Sequence, residues 1–139
     1  MADPISDTYR GSDAFKNAVL WTIGRTAELY AGMTIAGEKD RVFQRAVAGS
    51  LAVQAFVSGW MFLTKNNPDI KLPSIEAVQN RDIIGMLATF VIRSTLVAGG
   101  MYAAGFRDNI VRNSLAGGAV IEATVIALNL AKPQLEVQS

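Results

Sequence analysis

The sequence predicts an all-α protein built from two tandem hydrophobic helical hairpins that form a four-helix unit. Apolar residues make up 50% of the 139-residue chain and charged residues only 18%, where an average soluble domain carries roughly 25% charge. The long apolar runs lack the strict alternation of half-buried strands. A shift of 68 positions aligns the two halves of the chain with each other. A chain of this length predicts a single domain over residues 1–139.

The internal repeat aligns residues 25–57 with residues 93–125 without a gap. Ten of the 33 aligned positions are identical, where chance in a chain rich in Ala, Gly and Val would give roughly three. The identical pairs are Arg25/Arg93, Gly32/Gly100, Met33/Met101, Ala36/Ala104, Gly37/Gly105, Asp40/Asp108, Ala48/Ala116, Gly49/Gly117, Ala55/Ala123 and Val57/Val125. We interpret the match as a tandem duplication of one helical hairpin, with the first copy over residues 12–65 and the second over residues 75–132.

The first hairpin starts at Ser12 or Asp13, either of which can cap a helix that runs through Ala36. Gly37 supplies the left-handed residue that ends this helix. A second helix extends from about Lys39 to Thr64 and stops at the sequence Lys-Asn-Asn-Pro of residues 65–68.

The second hairpin follows an extended link through residues 72–73. Ser74 caps a third helix, which is predicted to run without interruption to Ala104. Gly105 repeats the turn, and a fourth helix spans about Arg107 to Ala131 before Pro133 ends it.

Small residues recur at matching positions of both units. The set predicted to let helices approach closely, and to pack subunits together, is Gly32, Ala36, Gly49, Gly100, Ala104 and Gly117. Each glycine inside a helix lowers helix stability by roughly 0.5–1 kcal/mol unless close packing compensates for it. We therefore expect dense helix packing at these positions.

The charges are distributed unevenly although the net charge is only +1. Bases gather at the two glycine turns and would form a face able to hold a phosphate backbone without sequence preference. The residues predicted to face nucleic acid are Lys39, Arg41, Arg45, Arg107 and Arg112. The alternative is that these side chains are ordinary solvated helix ends.

Four charges lie near the middle of predicted helices. Arg25 and Arg93 are equivalent in the repeat, and we expect them to form internal ion pairs with Glu28 and Glu122. A buried arginine without a partner would be strongly destabilising.

Catalytic chemistry is sparse in this sequence. The chain has no Cys and no His, which excludes thiol catalysis, imidazole-based catalysis and the usual zinc sites. No phosphate-binding glycine motif follows a strand, and no carboxylates stand at metal-ligand spacing on one helix. We expect no enzymatic activity, no metal and no cofactor.

Two tandem hydrophobic hairpins in about 140 residues resemble the major capsid proteins of large spindle-shaped, tailed viruses of hyperthermophilic archaea, the bicaudavirus-like group. The resemblance covers about residues 12–132 and consists of length, duplication and hydrophobic pattern. It implies a self-assembling coat protein, located in a virion, whose subunits pack through apolar helices around double-stranded DNA. The partners it implies are other copies of the chain and double-stranded DNA, with lipid as a further candidate.

Two other functions fit the same pattern. Residues 46–64 form a run of 19 without charge, which is long enough to span a bilayer. The chain could therefore be a four-helix integral membrane protein, such as a small transporter or a holin-like pore, with Glu28 or Glu122 as a functional intramembrane carboxylate. It could also be a soluble four-helix bundle that oligomerises through its Gly/Ala faces.

Overall fold

The computed structural model describes residues 13–67 and 73–138; Ser12, one of the two predicted caps, lies outside this part. The five helices, numbered here in chain order, are α1 (Ala14–Ile35), α2 (Val42–Leu63), α3 (Pro73–Gln79), α4 (Ile83–Ala103) and α5 (Ile110–Gln138). The described residues contain no strand, and four of the helices are long. The prediction of an all-α four-helix unit is confirmed.

The four long helices form a ring in the order α1, α2, α4, α5. Helix α1 packs against α2 and α5, and α4 packs against the same two helices, while α3 lies on α4 and α5. Both glycine turns lie at one end, where Arg45 donates from Nη1 to the Asp108 carbonyl oxygen at 3.1 Å. We call this the turn end, formed by residues 36–41 and 104–109, and the opposite end, with residues 64–67 and 80–82, the link end.

The 68-residue repeat in the sequence is matched by a repeat in the contacts between helices. Moving along the chain by 68 residues converts α1 into α4 and α2 into α5, so the α1–α5 contact corresponds to the α4–α2 contact. The two hairpins are therefore related by a pseudo-twofold axis that runs along the bundle.

The two glycine turns have the same backbone geometry. Gly37 and Gly105 have φ angles of 97° and 92°, a region that side chains disfavour. The N–H groups of Glu38 and Phe106 reach back five residues to helix carbonyls at 2.9 and 2.8 Å. This 6→1 bond is the Schellman motif, which satisfies carbonyls left open at a helix end.

Helices α2 and α5 begin about three residues later than the sequence predicts. The residues just before them, Arg41 and Asn109, are equivalent in the repeat and both adopt left-handed conformations, with φ angles of 48° and 55°. A left-handed residue cannot lie within a right-handed helix. The chain therefore completes its turn through residues 38–41 and 106–109 before the next helix starts.

The predicted third helix is broken in two. Arg81 has a φ angle of 54°, and the N–H of Asp82 bonds back to the Ala77 carbonyl at 2.9 Å, which ends α3. Asp82 then caps α4 by accepting from the Gly85 N–H at 3.0 Å. An aspartate cap is worth about 1 kcal/mol, and it starts the new helix at Ile83.

The last helix is longer than predicted. It continues to Gln138, although the sequence predicts a stop at Ala131, before Pro133. A proline in a helix removes one backbone hydrogen bond and bends the helix, but the remaining hydrogen bonds can maintain the helix on both sides of it.

Glycines bring the two hairpins together at equivalent places. A Cβ atom on Gly32 of α1 would lie 2.6 Å from the Ala116 carbonyl oxygen of α5, and one on Gly100 of α4 would overlap the Ala48 carbonyl oxygen of α2. A Cβ on Gly49 would lie 2.8 Å from a Val97 methyl carbon. No side chain fits at these crossings, so glycine permits the contact.

The glycines predicted to pack subunits together each face their own chain in this structure. The fourth, Gly117, lies against Leu29, whose Cδ2 would be 2.5 Å from an added Cβ. Ala36 and Ala104 are the C-cap residues of α1 and α4; Ala36 is half-buried and Ala104 is exposed. The close helix packing that the sequence predicts therefore occurs within the bundle.

Candidate functional site

The outer surface of the bundle is unusually apolar. Helices α2 and α4 and residues Ile110–Asn129 of α5 are each long and apolar enough to cross a membrane. Large apolar side chains exposed on the described helices include Leu20, Ile23, Leu51, Phe62, Ile84, Leu87, Val91, Ile92, Val111 and Leu115. By contrast, the buried apolar core is small and is formed by Leu29, Met33, Ala46, Val53, Val57, Met61, Val97, Met101 and Ile121.

Polar side chains line the inner face of α2, about one turn apart. Arg45, Ser50 and Gln54 are 2%, 0% and 8% exposed. The Ser50 hydroxyl donates to the Thr22 carbonyl oxygen of α1 at 3.0 Å. Gln54 continues the row by donating from Nε2 to the Ser58 hydroxyl at 2.8 Å. The charge-free run of residues 46–64 therefore carries two buried polar side chains, Ser50 and Gln54, and Gln54 bonds outward to the exposed Ser58.

Two arginines that are equivalent in the repeat each link the two helices of their own hairpin near the middle of the bundle. Arg25 donates from Nη1 to Gln54 Oε1 at 3.0 Å, and Arg93 forms an ion pair with Glu122. Both arginines are 8% exposed. The predicted Arg93–Glu122 pair is present, while the equivalent arginine in the first hairpin bonds to a neutral amide.

Glu28 is the other mid-bundle carboxylate, and it lies on α1 one turn after Arg25. It is half-buried, and the charges of Arg25 and Arg93 both act on it. The Thr124 hydroxyl of α5 lies within hydrogen-bonding reach of Glu28 and also 3.0 Å from the Val120 carbonyl oxygen. Because a hydroxyl has one hydrogen to donate, these two acceptors compete for it.

A second polar cluster ties the hairpins together at the turn end. The carboxylate of Glu38 is 7% exposed and accepts from Asn113 Nδ2 at 2.8 Å. It also lies 3.4 Å from Arg45 Nε and accepts from the Lys39 N–H at 3.1 Å. The Asn113 hydrogen bond is the main reason that the pKa of Glu38 falls below its usual value, and the backbone N–H donors and the Arg45 charge add to this effect.

The bases predicted to face nucleic acid do not all reach the surface. The prediction is wrong for Arg45, because its side chain is 3% exposed and its donors bond to Asp40 and Asp108 inside the protein. Arg41 lies over the Phe106 ring at 4.9 Å. Arg107 lies over the Tyr102 ring at 4.3 Å.

The remaining two predicted bases lie at the rim of the turn end. Lys39 is exposed, and the Arg112 side chain is 42% exposed and 3.6 Å from Glu38. Lys39, Arg41, Arg107 and Arg112 thus remain at the surface, which leaves a sparser basic face than the sequence suggested.

Sequence reasoning missed Gln54, Ser50 and Asn113 as interior polar residues. One signal could have found the first: Gln54 aligns with Glu122 in the repeat, and both lie 29 residues after an aligned arginine. Ser50 and Asn113 carry no such signal, because their repeat partners Gly118 and Arg45 have different chemistry.

The chain matches no protein family, no curated protein and no solved structure. Within the described residues, no group of three acidic side chains comes together in a way that could hold a metal ion. The arrangement of polar and apolar groups in the bundle is therefore the basis for inferring a function.

Proposed function

We propose that this protein is a four-helix integral membrane protein, in the class of small transporters or pores, with charged and amide side chains buried beside its apolar core. The observation that carries the proposal is the reversed distribution of polarity. Large apolar side chains such as Leu87 and Val91 point outward, 60% and 57% exposed, while charged and amide groups bond to one another inside. Water disfavours such an exterior, whereas lipid chains match it.

Helix length supports the same proposal. Helices α2 and α4 contain 22 and 21 residues, which at 1.5 Å per residue gives about 32–33 Å. The hydrocarbon core of a bilayer is about 30 Å thick. Helix α1 is also 22 residues long, and its Arg25 reaches α2 instead of lipid.

Aromatic and basic side chains pair at both ends of the bundle. At the turn end, the Arg107 guanidinium lies over Tyr102. At the link end, the Lys65 ammonium lies 4.3 Å from the centre of the Phe62 ring. Rings at the level of the lipid headgroups, with long basic side chains reaching toward water, are typical of membrane proteins.

The self-assembling coat protein remains the second candidate. Its exposed apolar surface would be covered by neighbouring subunits instead of lipid. It is less favoured because the crossings of Gly32 and Gly100 are used within the chain, and because Arg45 is committed to internal ion pairs.

Membrane flotation tests the proposal. The full chain is expressed in bacteria, the membranes are washed at high pH, and the sample is floated through a density gradient. We expect the protein to resist the wash and rise with lipid. A protein that instead sediments without detergent as regular particles would support the coat protein, and one that stays in buffer as a small oligomer would support the soluble bundle. Either result would overturn the membrane proposal.

A further inference from the structure

Three buried oxygen atoms in the described side chains lack a hydrogen-bond partner: Glu28 Oε2, Glu122 Oε1 and Ser94 Oγ. All three belong to the half of the interior that lies along α1, α4 and α5. An acceptor left without a donor in a buried place costs about 1–3 kcal/mol, and more when it is charged. These atoms therefore identify where the interior could receive a proton or a water molecule.

The two carboxylates differ in their contacts. Glu122 contacts the Arg93 guanidinium directly, and its side chain is 12% exposed. It is the counter-ion of that buried arginine, which would be costly to leave unpaired. Ser94 is 4% exposed and lies against Gly118, one turn before Glu122 on α5.

Glu28 is in a different position. The Thr124 hydroxyl, which acts on Glu28 from α5, donates to the Val120 carbonyl oxygen at 3.0 Å. The arginine on its own helix, Arg25, directs Nη1 to Gln54 on α2. Glu28 Oε2 is itself buried and receives no hydrogen bond, and in a membrane an ionised carboxylate in that state is costly.

We propose that Glu28 is a proton-binding site: a proton from water joins Oε2 as an O–H bond, and its release restores the carboxylate. The substrate class of the interior is then the proton. This inference rests on the proposed membrane location. The groups that act on the site are Arg25 on α1, Arg93 on α4 and Thr124 on α5. Gln54 of α2 is bonded to Arg25, and Glu122 of α5 is paired with Arg93.

The two positively charged neighbours keep the proton exchangeable. With both carboxylates ionised, the four central charges, two arginines and two glutamates, sum to zero. A proton on Glu28 removes the cost of a charge on a buried oxygen without a donor but leaves one positive charge in excess. Because each state relieves one cost and creates another, neither is strongly favoured, as an exchangeable site requires.

Carbodiimide labelling tests this site. Dicyclohexylcarbodiimide enters the apolar phase and reacts with protonated carboxyl groups there. The full chain in phosphatidylcholine vesicles is labelled over a range of pH, and the modified residue is mapped by mass spectrometry. We expect the label on Glu28, decreasing by about tenfold per pH unit once the pH exceeds the midpoint of its titration.

Two variants complete the test. Glu28→Gln should abolish this label, and Glu122→Gln should leave Glu28 labelled. Because the wild-type map alone identifies the site, a variant that fails to fold does not remove the answer. Label on Glu122 in place of Glu28, label independent of pH, or no label would overturn the inference. The same vesicles are floated beforehand, so a chain that never enters lipid refutes the membrane proposal separately.

Discussion

The two hairpins of this protein share a backbone plan but differ in their polar chemistry. In the first, Arg25 bonds to Gln54; in the second, the equivalent Arg93 pairs with Glu122. Both contacts join residues 29 apart. The two hairpins thus keep the same arrangement of this contact, with an amide partner in the first and a carboxylate partner in the second.

The turn end shows the same divergence. Glu38 and Phe106 are equivalent, as are Arg45 and Asn113. On one side of the pseudo-twofold axis Glu38 accepts from Asn113, and on the other side Arg45 lies 5.3 Å from the centre of the Phe106 ring. A charged hydrogen bond and a cation–π contact thus occupy matching places.

Removing the carboxylate of Glu122 should have the largest effect on the free energy of unfolding. Glu122→Ala leaves Arg93 buried without its partner, and we expect a loss of about 3–5 kcal/mol of unfolding free energy. Gln54→Ala leaves the matching Arg25 without an amide partner and should cost less, about 1–3 kcal/mol. Denaturant titration in detergent micelles measures both. Equal losses would mean that the charge of Glu122 adds nothing to the contact.

Placing a large side chain at the glycines where helices cross should have the next largest effect on stability. The loss should be equal in the two hairpins. Gly32→Leu and Gly100→Leu each force a side chain against a backbone carbonyl, and we expect losses of about 1–3 kcal/mol or more. Gly99→Leu is the matched control: a Cβ there meets nothing within 4 Å, and the change should raise helix stability by about 0.5–1 kcal/mol. Thermal unfolding followed by circular dichroism compares the three. Unequal losses at Gly32 and Gly100 would contradict the pseudo-twofold axis.

The contact of Glu38 should depend on pH, while its counterpart should not. The pKa of Glu38 is lowered on folding from an ordinary value of 4.5, so the folded state favours the ionised form. Its contribution is complete above pH 4.5 and is lost as the pH falls through the lowered pKa of the folded protein. We expect Glu38→Gln to remove this part of the acid sensitivity. An unchanged acid-unfolding curve would show that the cluster does not stabilise the turn end.

The smallest loss of stability is expected from changing Phe106, which is the repeat equivalent of Glu38. Phe106→Leu keeps an apolar side chain but removes the face over which Arg41 and Arg45 lie. We expect a loss of about 0.5–2 kcal/mol, equal at pH 4 and pH 7. A loss that follows pH would indicate that Phe106 acts through Glu38 and not through the two arginines.

Much of the fold could be predicted from local signals. The 68-residue repeat predicted two hairpins, and Gly37 and Gly105 predicted their turns, because a left-handed residue at a helix end favours glycine. The break between α3 and α4 was missed, since Arg81 takes the left-handed conformation that usually marks a glycine. The break between α3 and α4 is stabilised by the Asp82 cap and by the packing of α3 against α4 and α5.

The candidate site could be predicted only in part. Arg25, Arg93, Glu28 and Glu122 stand out as charges inside apolar segments, so their burial follows from helix periodicity. Which partner each one meets depends on how far neighbouring helices are displaced along one another. The glycine crossings set that displacement, and no local pattern encodes it.

By itself, the sequence determined the helical class, the duplication, the turns and the shortage of polar surface, because each of these follows from residues close together in the chain. The tertiary structure alone decided that the small residues pack within the chain, that Arg45 is internal and that Glu28 lacks a dedicated donor. These outcomes depend on which helix faces are brought into contact across the pseudo-twofold axis. Contacts between residues far apart in the chain set the energy of each buried charge.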